Sequence, residues 1–189
     1  MRRGLIFSIW LCACIALPVT AQDLPTGREA RDLVFAERGA VIGEVFPHEA
    51  LSESDVVVLG RIIETQKYYA AIAFSPGDGL ASIATIAAAN FHDEDNARIA
   101  ALAGCDEVRT GQTPCVIVLI VRPEGWAPGQ ALQLNTDASG ALRRDYRRIG
   151  SVRYLAISDS TGNWGMGLTL EDAMNECDED DCRIAVADE

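Results

Sequence analysis

Basic residues are scarce in this sequence, and lysine is almost absent. Lysine and arginine together number 16 against 28 aspartates and glutamates, which gives a formal net charge of −12, and Lys67 is the only lysine. An acidic surface repels phosphate backbones and anionic lipid, so this composition argues against binding to nucleic acid or to a membrane surface. The sequence also lacks a phosphate-cradling glycine loop, a dinucleotide fingerprint and a patch of mixed basic and aromatic residues.

Long hydrophobic runs are missing after the first 21 residues. Residues 5–17 are apolar and follow Arg2 and Arg3, which predicts a secretory signal peptide over residues 1–21, cleaved before Gln22. A transmembrane anchor is a weaker interpretation, because the run is shorter than the roughly 20 residues that span a bilayer. A third interpretation is a lipoprotein anchored at Cys14. Loss of the two signal arginines would take the formal charge from −12 to −14, and we expect a periplasmic or secreted protein.

An internal repeat organises the rest of the chain. Residues 68–77 (YYAAIAFSPG) are echoed by residues 154–162 (YLAISDSTG), at an offset of 85 that aligns Tyr69 with Tyr154 and Gly77 with Gly162. Each copy continues with a second apolar stretch, which predicts a strand at residues 80–88 in the first copy. A helical pattern that ends in cysteine, a polar turn and a cysteine-led strand follow. The sequence therefore predicts ββαβ repeats at residues 68–122 and 151–189, each too small to bury its apolar faces alone.

The segments outside the repeats are predicted to cover them. Residues 22–67 contain helical patterns at 28–38 and from Ser52 to near Gln66, with a short strand at 39–46 between them. Residues 123–150 form a connector with a short strand at 132–134 and a helix at 137–148, capped by Asp137 or Asn135. The predicted fold class is α+β: one globular domain over residues 22–189, in which the two repeats share one core of mainly antiparallel sheet and the N-terminal helical segment packs on it.

The cysteines that remain after the predicted signal peptide are even in number, which in an exported chain is typical of disulfides. Four cysteines allow three pairings, and the repeat favours the one that treats both copies alike, Cys105 with Cys115 and Cys177 with Cys182. A zinc site is the competing interpretation, but no histidine is near either pair and the spacings differ from those of zinc knuckles. We expect no bound metal and no cofactor.

The repeats resemble a family of small secreted bacterial domains of unknown function. The resemblance rests on the Tyr-x-Ala-Ile strand, the Ser-x-x-Gly turn, Asn163-Trp164-Gly165, the alanine-rich helix that ends in cysteine and the strand that begins with cysteine. It covers repeat two well and repeat one in part, and it implies no catalytic residues. The whole chain is also similar to exported alphaproteobacterial proteins that carry the name 5-aminolevulinate synthase. That activity requires a Schiff-base lysine inside a large cofactor fold, whereas Lys67 lies at the edge of a predicted strand.

Few residues offer catalytic or metal-binding chemistry. His92 is a candidate base for Ser75 or Ser160 in a hydrolase, but the sequence has no Gly-x-Ser-x-Gly elbow and both serines occupy predicted turns. His48 has no visible catalytic partner. The acidic turn at residues 178–181 could attract calcium, although it lacks the alternating ligands and the glycine of a calcium loop. We therefore predict no catalytic and no metal-binding residues.

Aromatic residues in the predicted loops favour a binding function instead. Trp126, Tyr154 and Trp164 are candidates for a ligand face, although Trp164 could equally fill the core. We expect an exported, non-catalytic binding or interaction module with an unknown envelope or extracellular partner, no nucleic acid and no transmembrane segment in the mature chain. The alternative is a periplasmic hydrolase, which requires His92 within hydrogen-bond reach of a serine, a cysteine or a carboxylate.

Overall fold

The computed structural model of the protein describes residues 24–189. The predicted signal peptide and Cys14 lie outside the described residues. Two 3-10 turns, Ile63–Thr65 and Tyr146–Arg148, follow the second and fourth helices. The elements in chain order are α1 (Gly27–Leu33), β1 (Val41–Val45), α2 (Glu53–Ile62), β2 (Ala70–Phe74), β3 (Ile86–Ala89), α3 (Glu94–Val108), β4 (Val116–Pro123), α4 (Thr136–Arg144), β5 (Arg153–Ile157), β6 (Trp164–Gly167), α5 (Leu170–Cys177) and β7 (Arg183–Asp188).

The first repeat forms a four-stranded antiparallel sheet together with β1 of the N-terminal segment, in the order β1-β4-β2-β3. All of β2 is buried, because α3 covers one face of the sheet and α2 covers the other. Alternate residues of a strand point to opposite faces. The small Ala71 and Ala73 face α3, whereas the larger Ile72 and Phe74 face Leu59 of α2. Small side chains on one face therefore let α3 lie close to the sheet.

The second repeat forms a three-stranded antiparallel sheet in the order β6-β5-β7. On one face Ala156 of β5 packs with Ala173 and Cys177 of α5. On the other face Leu155 and Ile157 pack with side chains of α1 and α4. The N-terminal segment and the connector thus contribute to the core of the second repeat.

The α+β fold class that the sequence predicted is confirmed. The buried apolar side chains form four clusters, one on each face of each sheet.

The predicted cysteine pairing is also confirmed, with Cα atoms 6.1 Å apart in Cys105–Cys115 and 6.2 Å apart in Cys177–Cys182. Each bridge joins the end region of a helix to the residue just before the next strand. Among residues 24–189, no helix is long and apolar enough to cross a bilayer.

The two repeats share their sheet topology down to an irregularity in the pairing of the central strand with the last strand. β2 and β5 are the central strands, and the register of each shifts by one residue against the last strand of its repeat, where Val118 of β4 and Ala185 of β7 are the extra residues. The shift lies between Ile72 and Ala73 of β2 and between Leu155 and Ala156 of β5. These positions align the repeats at an offset of 83 residues, from 72 to 155, and not at the predicted 85.

The turns that follow the central strands support the same alignment. Gly79 and Gly162 both have positive φ, at 84° and 78°, and their N–H groups bond the carbonyl oxygens of Ser75 and Ser158. The predicted alignment of Gly77 with Gly162 is therefore wrong by two residues. A shift of two leaves every side chain on its original face of the strand, so the apolar pattern alone fits both alignments almost equally well.

Three local predictions also differ from the structure. Residues 80–85 form turns in place of the start of a strand, and the Thr85 hydroxyl donates to the Leu80 carbonyl at 2.6 Å. Residues 132–134 are not a strand, although Leu132 and Leu134 are buried in the core. Helix α4 ends at Arg144, and Asn135 is its N-cap.

Candidate functional site

The two repeats meet at a buried polar junction centred on His92, which is 1% exposed. Its Nε2 lies 3.0 Å from the carbonyl oxygen of Asn163, which belongs to the turn before β6. Its Nδ1 accepts the main-chain N–H of Asn135 at 3.1 Å. The imidazole therefore joins the first repeat, where His92 precedes α3, to both the connector and the second repeat.

These partners determine the protonation state of His92. A carbonyl oxygen can only accept a hydrogen bond and a main-chain N–H can only donate one, so Nε2 carries the proton and Nδ1 does not. Burial lowers the pKa of His92 below its ordinary value, because the charged ring would lose its hydration. The Asn163 carbonyl and the carboxylate of Asp159 oppose this shift. The junction holds a neutral histidine.

Asn135 completes the junction with its side chain, which is fully buried. Its Nδ2 donates to the carbonyl oxygens of Asn90, at 2.8 Å, and Gly162, at 2.7 Å. Its Oδ1 accepts the N–H of Ala138 at 2.7 Å and so caps α4. One amide thus connects the first repeat, the connector helix and the second repeat.

The contacts of the two histidines are with main-chain atoms and one aromatic ring. Both ring nitrogens of His92 bond main-chain atoms, and within residues 24–189 neither has a hydrogen bond to a serine, a cysteine or a carboxylate. Nδ1 of His48 accepts the N–H of Ala50 at 3.1 Å, and the ring packs edge-on against Phe74. The criterion for a catalytic base in the hydrolase alternative is not met by the contacts of either ring.

The candidate nucleophiles lie in turns that are held by carboxylates. In the second repeat Asp181 accepts the Ser158 hydroxyl at 2.7 Å and the Ser160 N–H at 2.8 Å. The hydrogen bond from Ser158 is the main reason that the pKa of Asp181 is lowered. Asp181 directly precedes Cys182, so this contact ties the turn after β5 to the disulfide loop.

The first repeat also connects its turn to its disulfide loop, but with the carboxylate and the hydrogen-bond donors exchanged between the two segments. Here the carboxylate belongs to the turn, and Asp78 accepts the Thr110 hydroxyl and the Thr110 N–H from the loop between Cys105 and Cys115. Hydrogen bonds, first of all that of the Thr110 side chain, lower the pKa of Asp78 to about 2. Both repeats therefore fix the turn after the central strand to the disulfide loop through one aspartate.

The acidic turn at residues 178–181 is already engaged in structural contacts. Besides the contacts of Asp181, Glu179 accepts the side-chain amide of Asn163 at 3.0 Å. Asp178 ends α5 in a left-handed conformation, with φ of 56°. No group of three or more histidine, cysteine, aspartate or glutamate side chains in residues 24–189 is arranged to hold a metal ion.

The three aromatic candidates do not come together into one ligand face. Tyr154 packs with the α5 cluster on one face of the second sheet, whereas Trp164 packs against the core on the other face. Trp126 lies in the connector, where its Nε1 donates to Gln133 at 2.9 Å and its ring is covered by the guanidinium of Arg122, 4.9 Å away. Trp126 borders an open cleft of about 390 Å³ beside the acidic N-terminus of α3.

An apolar groove beside α2 is the concave surface best suited to a ligand. It has a volume of about 290 Å³, and its floor includes Leu59 and Ile72, which are 1% and 4% exposed. Helix α2 forms one wall and the turns after β2 form the other. Apolar concave surfaces with a few polar groups at the rim are typical of binding sites. The lining residues are Asp55, Val58, Leu59, Ile62, Ile72, Leu80, Ala81 and Thr85.

The rim of the groove is apolar and exposed. Val58 of α2 is 50% exposed and Ala81 of the facing turns is also exposed, and both line the groove. The charge at this rim is negative, because Asp55 lines the groove and Glu53 precedes it on α2. A hydrogen bond from the Ser52 main chain is the main reason that the pKa of Asp55 is lowered, so its carboxylate is ionised.

A sequence signal for this groove exists in Val56-Val57-Val58. Successive residues of a helix are about 100° apart, so three consecutive valines cannot all face the sheet, and some must face solvent.

Comparisons with known proteins add no functional assignment. No protein family model matches this sequence, and no curated protein or solved structure is significantly similar to it.

Proposed function

We propose that this protein is an exported, non-catalytic binding module and that its ligand site is the groove beside α2. The single observation that carries the proposal is an apolar floor, Leu59 and Ile72, beside two exposed apolar lining residues, Val58 and Ala81. Exposed apolar side chains that surround a concave apolar surface mark interaction sites more often than isolated ones do. The contacts of His92 with main-chain atoms support a non-catalytic role.

The chemistry of the groove favours a protein partner that presents an apolar side chain between basic residues. The floor accepts an apolar group, because Leu59 and Ile72 offer it no hydrogen-bond partner. The rim and the whole chain are acidic, with a formal charge of −12, so flanking lysines or arginines on the partner would be attracted. The surface of such a partner would complement both features.

Two observations support export to the periplasm or the cell exterior. Two disulfides are present, and such bonds persist in oxidising compartments. The signal peptide predicted from residues 1–21 accounts for how the chain would reach such a compartment. The resemblance of the repeats to small secreted domains agrees with both, and we retain it as part of the proposal.

The test compares substitutions at the rim with one at a distant exposed apolar residue. Ala81→Asp and Val58→Asp place a charge in the lining of the groove, whereas Ile99→Asp changes α3 at a side chain that is 64% exposed and does not line the groove. The probes are two pools of synthetic peptides with leucine or phenylalanine flanked either by arginine or by glutamate, and binding is measured by fluorescence anisotropy.

We expect the arginine-flanked pool to bind the wild-type chain and the Ile99→Asp variant alike. Binding should fall at least tenfold in both rim variants, since a charge would have to be buried against the apolar floor. Equal binding by all variants, or a preference for the glutamate-flanked pool, would refute the proposal. Circular dichroism and thermal unfolding of each variant show whether its fold is intact.

A further inference from the structure

Four arginines lie close together on this acidic protein. Fourteen of the 16 basic residues fall within residues 24–189, since Arg2 and Arg3 precede them, and four of these 14 occupy positions 143–148. They line a surface hollow of about 380 Å³. The four are Arg143, Arg144, Arg147 and Arg148.

The backbone that carries these arginines is firmly positioned. Arg143 and Arg144 belong to the last turn of α4, and Arg147 and Arg148 to the 3-10 turn that follows. Between them Tyr146 is fully buried, and its hydroxyl donates to the Arg153 carbonyl at 2.7 Å. The buried tyrosine anchors the turn while the four guanidinium groups stay at the surface.

Neighbouring groups neutralise only part of this charge. Arg144 pairs with Glu37, and Arg148 lies 3.6 Å from Asp145. Arg143 donates to two carbonyl oxygens, of Arg31 at 3.1 Å and Val34 at 2.7 Å, which orient its guanidinium without cancelling its charge. Within residues 24–189, Arg147 has no carboxylate within ion-pair distance. Four positive charges therefore face two carboxylates.

The cluster costs the free protein stability. The four guanidinium groups line one hollow, and their like charges repel one another there. Favourable contact with the carboxyl end of α4 accounts for Arg143 and Arg144, because cations stabilise that end of a helix. It does not account for Arg147 and Arg148, which lie beyond the helix.

We propose that this hollow binds a ligand that carries two or more phosphate groups. Guanidinium groups form paired, charge-assisted hydrogen bonds with phosphate oxygens, and such a ligand would remove the repulsion among the four arginines. The overall acidity does not prevent this, because at physiological ionic strength charges more than about 8 Å away are largely screened. The site is distinct from the groove beside α2 and does not depend on the function proposed for it.

Two sources of such phosphates are distinguished by two probes. The first probe is inorganic tripolyphosphate, measured by isothermal titration calorimetry with the purified chain. The second is a set of lipid vesicles, either cardiolipin, which carries two phosphates, with phosphatidylcholine or phosphatidylcholine alone, measured by sedimentation. Binding to tripolyphosphate indicates a soluble phosphorylated ligand, and binding only to the anionic vesicles indicates a lipid headgroup.

The matched variants are Arg147→Glu and Arg61→Glu. Both arginines are exposed, both substitutions change the net charge equally, and Arg61 lies on α2, outside the hollow. We expect Arg147→Glu to weaken binding about tenfold or more and Arg61→Glu to leave it within about twofold. We also expect Arg147→Lys to retain part of the affinity, because it keeps the charge and loses the paired geometry.

Three outcomes would overturn the proposal. The first is no binding to either probe, and the second is binding that falls equally in Arg147→Glu and Arg61→Glu. The third is binding that does not weaken as salt rises from 50 to about 200 mM, because contacts with phosphates must be salt-dependent. Tyr146, which anchors the turn at residues 146–148, is unchanged in all three variants, so we expect each variant to stay folded. Unfolding curves of the three variants check this.

Discussion

Asn135 donates its main-chain N–H to Nδ1 of His92 over 3.1 Å, inside a junction where both residues are almost completely buried. The pair joins the connector to the first repeat, and the Nε2 contact of His92 with Asn163 extends the network to the second repeat. The relative placement of the two sheets therefore depends on polar contacts as well as on apolar packing.

The first prediction concerns pH. The pKa of His92 is lowered in the folded protein, so the unfolded chain binds a proton more readily than the folded one. The stability that the neutral His92 contributes is complete when the pH is above the pKa of histidine in the unfolded chain, about 6.5. This contribution is lost as the pH falls toward the lower pKa of His92 in the folded protein. We expect the wild-type Tm to be constant from pH 8 to 7 and to fall between about pH 6.5 and 5.

His92→Gln tests the assignment, because glutamine can donate to Asn163 but does not titrate. The variant should be less stable than wild type at pH 7.5 and should lose much less Tm on acidification to pH 5. His48→Gln is the control, since His48 makes no contact with the second repeat. A wild-type pH profile that survives in His92→Gln would show that another group is responsible.

The sequence was a poor guide to this junction. His92 and Asn135 are 43 residues apart, and their contacts are with main-chain atoms, which leave no pattern in side-chain chemistry. The pattern instead suggested a catalytic base, because histidine is a common one. A single signal was available: Asn135 was one of two candidates for the cap of α4, and its side chain does cap that helix.

The second prediction is that Asn135→Ala is among the most destabilising single substitutions at a polar residue. Alanine would leave the carbonyl oxygens of Asn90 and Gly162 and the N–H of Ala138 without their partner. Buried unpaired groups and a lost cap together predict a loss of about 2–4 kcal/mol in the free energy of unfolding. Urea unfolding measures it, and the exposed Asn175→Ala should change it by less than about 0.5 kcal/mol.

The third prediction concerns the disulfides. Cys177→Ser with Cys182→Ser opens a loop with a sequence separation of 5 and should lower the free energy of unfolding by about 2–3 kcal/mol. Cys105→Ser with Cys115→Ser opens a separation of 10 and should cost slightly more, because longer loops lose more entropy on closure. Urea unfolding with and without reductant separates the two bridges, and a first variant that reductant does not destabilise further would contradict the prediction.

The cysteine pairing was predictable because the repeat constrained it, whereas the alignment of the repeats was not. Period-two alternation in strands is unchanged by a shift of two residues, so the offset was resolved only by the register shifts in the pairing of β2 with β4 and of β5 with β7. The turns at residues 80–85 were also missed. Leucine, alanine and isoleucine in that stretch suggested a strand, but the Thr85 hydroxyl closes the chain back on Leu80.

The last prediction contrasts two glycines. In the second repeat α5 lies directly on β6, and a Cβ added at Gly165 would lie 2.5 Å from the Ala173 carbonyl oxygen, a rigid main-chain atom. Gly165→Ala would therefore push α5 off the sheet and should lower the free energy of unfolding by about 1–3 kcal/mol. Gly60 lies within α2 with no atom within 4 Å of an added Cβ. Gly60→Ala should raise the free energy of unfolding by about 0.5–1 kcal/mol, because alanine is the better helix former. Urea unfolding of both variants gives the two signs, and changes of the same sign would show that α5 does not approach β6 as closely as described.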